Sequence, residues 1–143
     1  MMVVEKYGIG SAVSCEGSVV VIDVIRSFTL AAVAFSRGLK EVFLVSTPEE
    51  AFDLRRRLGA VILAGEVDGR KIPGFDFGNS PESISRRDFT GKRMILRSGS
   101  GTQGVVSAVR ASEIFLGSLV VAAATVRHLR LRGSELVTLL AMG

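Results

Sequence analysis

Cysteine, histidine, tryptophan and proline are all scarce in this sequence of 143 residues. It has one cysteine, one histidine and three prolines, and it has no tryptophan. A single cysteine excludes an internal disulfide and a cysteine-rich metal site, and a single histidine excludes a metal site built on histidines. We interpret Cys15 as a buried, inert thiol rather than a nucleophile, and His128 as a surface residue.

Long apolar runs are also missing. The richest run, residues 116–126, is interrupted by Gly117, Ser118 and Thr125, whereas a membrane-spanning helix needs about 20 apolar residues. The N-terminus lacks the layout of a signal peptide. We therefore expect a cytoplasmic protein that makes no contact with a membrane.

The composition that is present indicates one folded domain. Hydrophobic residues make up 48% of the chain, which is far above the share in disordered proteins. The length suits a single domain over residues 1–143 with a substantial core.

Arginine dominates the positive charge, since 14 of the 18 cationic residues are arginines and the net charge is +4. Arginine favours bidentate binding of phosphate, sulfonate and carboxylate groups. The arginines cluster at 55–57, 86–87 and 127–132, all on predicted helices or at their ends. No aromatic residues are interleaved with them, so we interpret them as solvated helix faces and expect no nucleic-acid partner. A polyanion site is the alternative interpretation.

Short apolar runs alternate with helical patterns along the chain. The pattern predicts strands near residues 19–24, 41–45, 61–64, 93–97, 113–116 and 136–141. It predicts helices over 27–36, 48–58 and 101–111, a short helix from Pro81, and a helix capped by Ser118 and ending at Leu131. This alternation indicates an α/β domain with three layers, α/β/α, and a mostly parallel sheet. Before Val19 the pattern is weaker, with a strand at 3–5 and a loop at 7–17.

Polar loops follow three of the predicted strands. They contain Asp23, Arg26 and Ser27 in the first, Glu66, Arg70, Asn79 and Ser80 in the second, and Ser98, Ser100, Gly101 and Thr102 in the third. The carboxyl ends of parallel strands meet at one edge of a sheet, where open α/β sheets bind ligands. We therefore expect these side chains to share one cleft.

The carboxylates in these loops differ in what they indicate. Asp23 ends a buried strand, where an unpaired carboxylate is costly, so we favour a functional role over a structural salt bridge with Arg26. Glu66 directly follows a predicted strand and has the same interpretation. Asp68 and Asp76 are interpreted as turn formers within a loop of about seventeen residues that starts at residue 65.

Hydrolysis of a phosphate ester needs groups that these loops contain. Glycine-rich turns bind anions through backbone N–H groups, and arginine or Mg²⁺ neutralises charge on the transferred phosphoryl group. The run from Ser98 to Thr102 is such a turn, although it is not a Walker A motif because no lysine follows Gly101.

Several motifs occur together in one order. The segment Gly65-Glu66 followed by Pro73-Gly74-Phe75-Asp76-Phe77-Gly78-Asn79-Ser80-Pro81 closely resembles the signature of the 2-phosphosulfolactate phosphatases. Residues 19–29, 98–102 and 117–118 are similar to three further motifs of that family, in the same order. The pairing of the Gly-Asn-Ser-Pro loop with an upstream Gly-Glu is the specific part of this resemblance.

The resemblance implies an activity and a set of roles. The implied reaction is the Mg²⁺-dependent hydrolysis of 2-phospho-3-sulfolactate to 3-sulfolactate and phosphate, in coenzyme M synthesis. Asp23 and Glu66 would hold the metal and, with Arg26, be catalytic. The residues that would bind the small anionic substrate are Ser27, Arg70, Asn79, Ser80, Ser98, Ser100, Gly101, Thr102 and Ser118.

Departures from the family pattern keep a second function open. Residues 27–29 are Ser-Phe-Thr where the family has Ala-Thr-Thr, and residues 98–102 are Ser-Gly-Ser-Gly-Thr where it has Thr-Thr-Asn-Gly-Thr. The alternative is a non-catalytic anion-binding or interaction domain on the same scaffold. The family's C-terminal portion has no counterpart here, so we expect uncovered apolar surface and a homo-oligomer.

Overall fold

The computed structural model describes residues 1–142, which form eight strands and six α-helices. Their order is β1 (Met2–Tyr7), α1 (Ile9–Ala12), β2 (Gly17–Ile22), α2 (Ser27–Ser36), β3 (Glu41–Leu44), α3 (Pro48–Leu58), β4 (Ile62–Val67), β5 (Arg70–Lys71), α4 (Pro81–Ile84), β6 (Arg93–Arg97), α5 (Gly101–Ser107), β7 (Ala111–Gly117), a 3₁₀ turn (Leu119–Val121), α6 (Ala122–Leu131) and β8 (Leu136–Ala141). None of the helices within residues 1–142 has the length and apolar character that crossing a membrane requires.

The strands form two sheets of four. The first sheet has the order β1-β8-β2-β7 and is entirely parallel. The second has the order β3-β6-β4-β5 and is parallel except for the hairpin between β4 and β5. The predicted α/β class with mostly parallel strands is confirmed. The apolar pattern marks each strand but not its partner, so it did not indicate that the strands divide between two sheets.

Both faces of β2, an inner strand of the first sheet, are buried, which explains its unbroken apolar run. Val19 and Val21 pack with Phe28 of α2 and Leu140 of β8 on one face. On the other face, Val20 and Val137 pack against Leu129 of α6. Successive side chains of a strand point to opposite faces, so each alternate residue of β2 reaches a different cluster.

Helix α2 connects the two sheets through its apolar side chains. Its Phe28 belongs to the cluster on the first sheet, while Leu30 and Ala34 pack against Met94 and Leu96 of β6. Leu63 and Ile95 point to the other face of the second sheet, where they pack with α3. The site residues that follow β2, β4 and β6 are therefore held on rigid, well-packed elements.

Helix α3 begins where the sequence predicted. Thr47 Oγ1 accepts a hydrogen bond from Glu50 N at 3.1 Å, and Glu50 Oε2 accepts one from Thr47 N at 3.4 Å. This reciprocal pair satisfies two N–H groups that a helix start otherwise leaves free. Pro48 occupies the first turn, where a missing N–H costs nothing.

Other boundaries differ from the predictions. The predicted loop at 7–17 contains α1, and the predicted helix at 101–111 ends at Ser107, because the chain from Ala111 onward pairs with β2. Ser118 makes no side-chain cap; a 3₁₀ turn follows it, and α6 begins only at Ala122.

The first part of the long loop predicted from residue 65 is wrong, because β4 continues to Val67 and forms a hairpin with β5, whereas residues 72–80 lie outside the strands and helices as predicted. Glu66 therefore lies within a strand rather than after it. Asp68 (φ 51°) and Gly69 (φ 77°) both have left-handed backbone conformations, as the two-residue hairpin turn requires. Asp68 is thus a turn former, as predicted.

Candidate active site

Asp23 lies directly after β2 and is almost fully buried. Its Oδ2 accepts a hydrogen bond from Gly101 N at 3.0 Å, and its Oδ1 accepts a longer one from Ser27 N at 3.4 Å. Within residues 1–142 it has no ion pair, so the salt bridge with Arg26 that was the structural alternative is not formed. Backbone N–H groups rather than a cation stabilise this buried charge.

Glu66 is the second buried carboxylate, on β4. Its Oε1 accepts a hydrogen bond from Gly99 N at 2.6 Å, and its Oε2 accepts one from Gly69 N at 2.7 Å. Asp23 and Glu66 thus bind N–H groups two residues apart on the same glycine-rich turn. Each carboxylate oxygen has two acceptor positions, so both side chains retain room for a further partner.

The turn between them, residues 98–102, is closed by its own side chains. Ser98 Oγ accepts from Thr102 N at 3.1 Å, and Thr102 Oγ1 accepts from Ser98 N at 2.9 Å. Both side chains are buried. Ser100 Oγ donates to the carbonyl oxygen of Met142. The hydroxyl groups of Ser98, Ser100 and Thr102, which were predicted to bind substrate, therefore form hydrogen bonds within the protein that stabilise the turn.

Gly101 is required where it stands because Asp23 approaches so closely. A Cβ atom on residue 101 would lie 2.5 Å from Asp23 Oδ2. At Gly99 the corresponding Cβ atom would lie 3.5 Å from Glu66 Oε1, an ordinary van der Waals distance. A side chain at residue 101 would therefore clash with Asp23, whereas a methyl group at residue 99 would fit beside Glu66.

Asn79 extends the network to the loop after β5. Its Nδ2 donates to Ser27 Oγ at 3.1 Å, which connects it to Asp23 through Ser27. Its Oδ1 is buried and has no hydrogen-bond partner among residues 1–142. A buried acceptor without a partner costs about 1–3 kcal/mol, so such atoms are rare and often face a ligand, ion or water.

The structure brings most of the predicted residues together. The connected set consists of Asp23, Ser27, Glu66, Asn79, Ser98, Ser100, Gly101 and Thr102. The side chains of Arg26, Arg70 and Ser80 make no hydrogen bond to this set; Arg70 is exposed on β5, and Ser80 begins α4 without capping it. Ser118 Oγ is buried without a partner, beside an apolar cavity of about 240 Å³.

Two residues that the sequence analysis missed position this site. Arg97 Nη1 donates to Glu66 O at 2.6 Å, and its Nε donates to Ser46 O at 3.0 Å. Gln103 Nε2 donates to Ser98 O at 3.1 Å and to the same Ser46 carbonyl at 2.8 Å. The signal was present, since an arginine ends β6 directly before the glycine-rich turn.

With this geometry described, the chain can be compared with known proteins. A family model described as 2-phosphosulpholactate phosphatase matches residues 7–143. The chain belongs to this family. The resemblance that the motifs at 19–29, 65–81, 98–102 and 117–118 indicated is thereby confirmed.

Three relatives carry the description probable 2-phosphosulfolactate phosphatase. This chain is 40% identical over 112 residues to the protein of Carboxydothermus hydrogenoformans, covering 78% of this chain and 46% of that one. It is 38% identical to the Bacillus subtilis protein, over 78% of this chain and 49% of that one. It is 37% identical to the Deinococcus radiodurans protein, over 86% and 52%. The chain spans about half the length of the curated relatives that it matches.

Proposed function

We propose that this chain forms the site of a phosphatase that hydrolyses 2-phospho-3-sulfolactate to 3-sulfolactate and phosphate. The family supports this reaction class, since its curated relatives carry that activity in their descriptions. The observation that carries the proposal is the pair of buried carboxylates, Asp23 and Glu66, on one glycine-rich turn. In the reaction, a water oxygen bonds to phosphorus, the ester bond breaks, and the leaving oxygen gains a proton to become the hydroxyl of 3-sulfolactate.

The donor atoms at the site fit the Mg²⁺ ion that we propose as cofactor. Within residues 1–142 there is no cluster of three or more His, Cys, Asp or Glu side chains. Mg²⁺ is, however, commonly held by one or two carboxylates together with waters and substrate phosphate oxygens. Asp23, Glu66 and the unpartnered Asn79 Oδ1 are hard oxygen donors of this kind. Bound Mg²⁺ would neutralise charge on the phosphoryl group.

The turn amides have a role of their own in this proposal. Gly99 N donates to Glu66 and Gly101 N donates to Asp23. If the carboxylates turn towards a cation, these N–H groups become available as donors to phosphate oxygens. Arg26 and Arg70 are the cations that we propose for the carboxylate and sulfonate groups of the substrate.

The cellular setting is part of the same proposal. A substrate of this type would place the protein in coenzyme M synthesis in the cytoplasm. Self-association is supported by exposed apolar side chains near α6, since Leu119 is 77% exposed, Val120 66% and Leu131 87%. A surface of this kind is typical of a contact region.

A second candidate function has an observation in its favour. Both oxygens of Asp23 and both oxygens of Glu66 accept a hydrogen bond from a backbone N–H group. Carboxylates that the backbone holds in this way suit a domain that binds an anion or a partner without turnover.

Phosphate release from 2-phospho-3-sulfolactate separates the two candidates. We expect turnover by the purified chain with Mg²⁺, none with EDTA, and a large loss in Glu66→Gln. The exposed Asp53→Asn variant is the control and should keep full activity. If the wild-type chain binds the substrate but releases no phosphate, the non-catalytic function replaces the phosphatase.

A further inference from the structure

A cavity of about 730 Å³ lies at the opposite end of the second sheet from the candidate active site. It is lined by Ile62 and Arg93, the first residues of β4 and β6, whereas Arg97 at the far end of β6 contacts Glu66. The two arginines are four residue steps apart along the strand, so their Cα atoms are separated by about 13 Å. The cavity is thus distinct from the glycine-rich turn.

Charged side chains dominate the rim of this cavity. They are Arg55, Asp76, Arg87, Asp88, Lys92 and Arg93, which leaves a surplus of two positive charges. Val61, Phe77 and Phe89 supply an apolar lining. Its volume lies in the range of pockets that bind small organic molecules, roughly 300–1,000 Å³.

Both carboxylates of the rim already have partners. Asp76 Oδ2 accepts from Leu63 N at 2.8 Å and lies 3.5 Å from Arg55 Nη1. Asp88 Oδ1 accepts from Thr90 Oγ1 at 2.6 Å and from Thr90 N at 2.9 Å. Asp76 is thus paired with Arg55, whereas Asp88 keeps its negative charge on the rim, where it interacts with Lys92.

Arg87 and Arg93 have no carboxylate partner within residues 1–142. The Arg87 guanidinium lies over the ring of Phe77, 6.0 Å from its centroid, and that ring packs edge-to-face on Phe89. Arg93 Nη2 donates to Leu58 O at 2.8 Å. One aromatic contact and one hydrogen bond thus orient two guanidinium groups while leaving most of their five donors free.

We propose that this cavity is a second anion site, which binds a small organic phosphate or pyrophosphate through Arg87, Arg93 and Lys92. Oriented guanidinium groups bind phosphate oxygens in pairs, and the apolar lining would contact the organic part of the ligand. The site includes residues from two of the three arginine clusters, 55–57 and 86–87. A polyanion site was the alternative interpretation of these clusters. It is independent of the proposed phosphatase activity.

The test is a titration of pyrophosphate into ¹⁵N-labelled protein at low ionic strength, followed through the arginine Nε–Hε signals. We expect saturable shifts of the Arg87 and Arg93 signals. The double variant Arg87→Gln, Arg93→Gln should bind at least about tenfold more weakly, since hydrogen bonds to charged groups are strong. Arg56→Gln is the matched control, because Arg56 is exposed on α3, pairs with Asp53 and does not line the cavity.

Three outcomes would overturn the proposal. The first is the absence of saturable shifts at Arg87 and Arg93. The second is a response confined to the amides of Gly99 and Gly101, which would assign the anion to the candidate active site alone. The third is an equal loss of affinity in Arg56→Gln, which would mean unspecific attraction. If the double variant does not fold, the single variant Arg87→Gln tests the same proposal, because Arg87 is exposed and its replacement should leave the fold intact.

Discussion

The two ends of the second sheet handle charge in opposite ways. At the carboxyl end, Glu66 of β4 and the neighbouring Asp23, which follows β2 of the first sheet, are buried carboxylates that accept hydrogen bonds from backbone N–H groups. At the amino end, Arg87 contacts an aromatic ring and Arg93 a backbone carbonyl, and within residues 1–142 neither forms a salt bridge. The candidate active site at the carboxyl end depends on backbone positions, whereas the proposed anion site at the amino end depends on side chains. Different substitutions should therefore impair the two sites.

The largest expected effect is that of Asp23→Asn on turnover. Removing a charged group that acts on the transferred phosphoryl should lower the rate by at least about a hundredfold. The variant also places an NH₂ group against a backbone N–H, so we expect a stability loss of about 1–3 kcal/mol. Phosphate release and urea unfolding measure the two effects, with Asp53→Asn as control. If the variant keeps its turnover, Asp23 is not a catalytic residue. Pyrophosphate binding at the amino end should be the same in the variant and in the wild-type chain.

The two glycines of the turn provide a sharper, purely structural test. Gly101→Ala forces Cβ against Asp23 Oδ2, so we expect a loss of about 1–3 kcal/mol in the free energy of unfolding. Gly99→Ala meets Glu66 only at van der Waals distance and should change stability by less than about 0.5 kcal/mol. Denaturant unfolding of both variants checks the difference. Equal losses of stability in the two variants would show that the close approach of Asp23 is not the reason why residue 101 is a glycine.

A smaller effect should follow from adding Mg²⁺ without substrate. If the carboxylates turn towards the cation, the amide signals of Gly99 and Gly101 should shift, because each loses or weakens a hydrogen bond to a carboxylate. Glu66→Gln should suppress the response. The amide of Thr90, at the amino end of the sheet, is the internal reference and should stay in place. Shifts spread evenly over both ends would contradict a specific cation site.

The smallest expected effect concerns Asp88. The hydroxyl and the amide of Thr90 donate to this carboxylate and hold its pKa below the ordinary value. Because the folded pKa is depressed, the stabilisation is present above the ordinary pKa and is lost as the pH falls through the lowered one. In Thr90→Val the side-chain donor is gone, so the pKa of Asp88 should move up towards its ordinary value. A carboxyl NMR titration measures it, and an unchanged midpoint would contradict the assigned cause.

Much of the fold was predictable because it follows from local patterns. The capping box at Thr47 and the strand at 93–97 appear in the structure where the sequence predicted them, and the strand predicted near 19–24 appears at Gly17–Ile22. The division into two sheets was not predictable, since it depends on which strands pair over long distances. The hairpin at 67–70 was missed because loop-forming residues also form tight two-residue turns.

The candidate site was predictable in membership but not in arrangement. Strand ends and glycine turns indicated Asp23, Gly101 and Asn79, which the structure connects. That Ser98 and Thr102 bond to each other, rather than pointing towards a ligand, depends on local geometry that residue type does not specify. Arg97 ends β6 directly before the turn, but residue type alone does not show that its side chain reaches the carbonyl oxygens of Ser46 and Glu66.

The position of β8 has a consequence for the order of folding. This strand lies between β1 and β2, so Met2 pairs with Leu136 and Ser18 with Val137. Within residues 1–142, β1 has no other neighbouring strand, so it stays unpaired until β8, far later in the chain, is available. Pairings of such long sequence separation close slowly, and unpaired parallel edges are prone to aggregate meanwhile. Ser100 donates a hydrogen bond to Met142, just beyond β8, so the glycine-rich turn can make this contact only after β8 is in place.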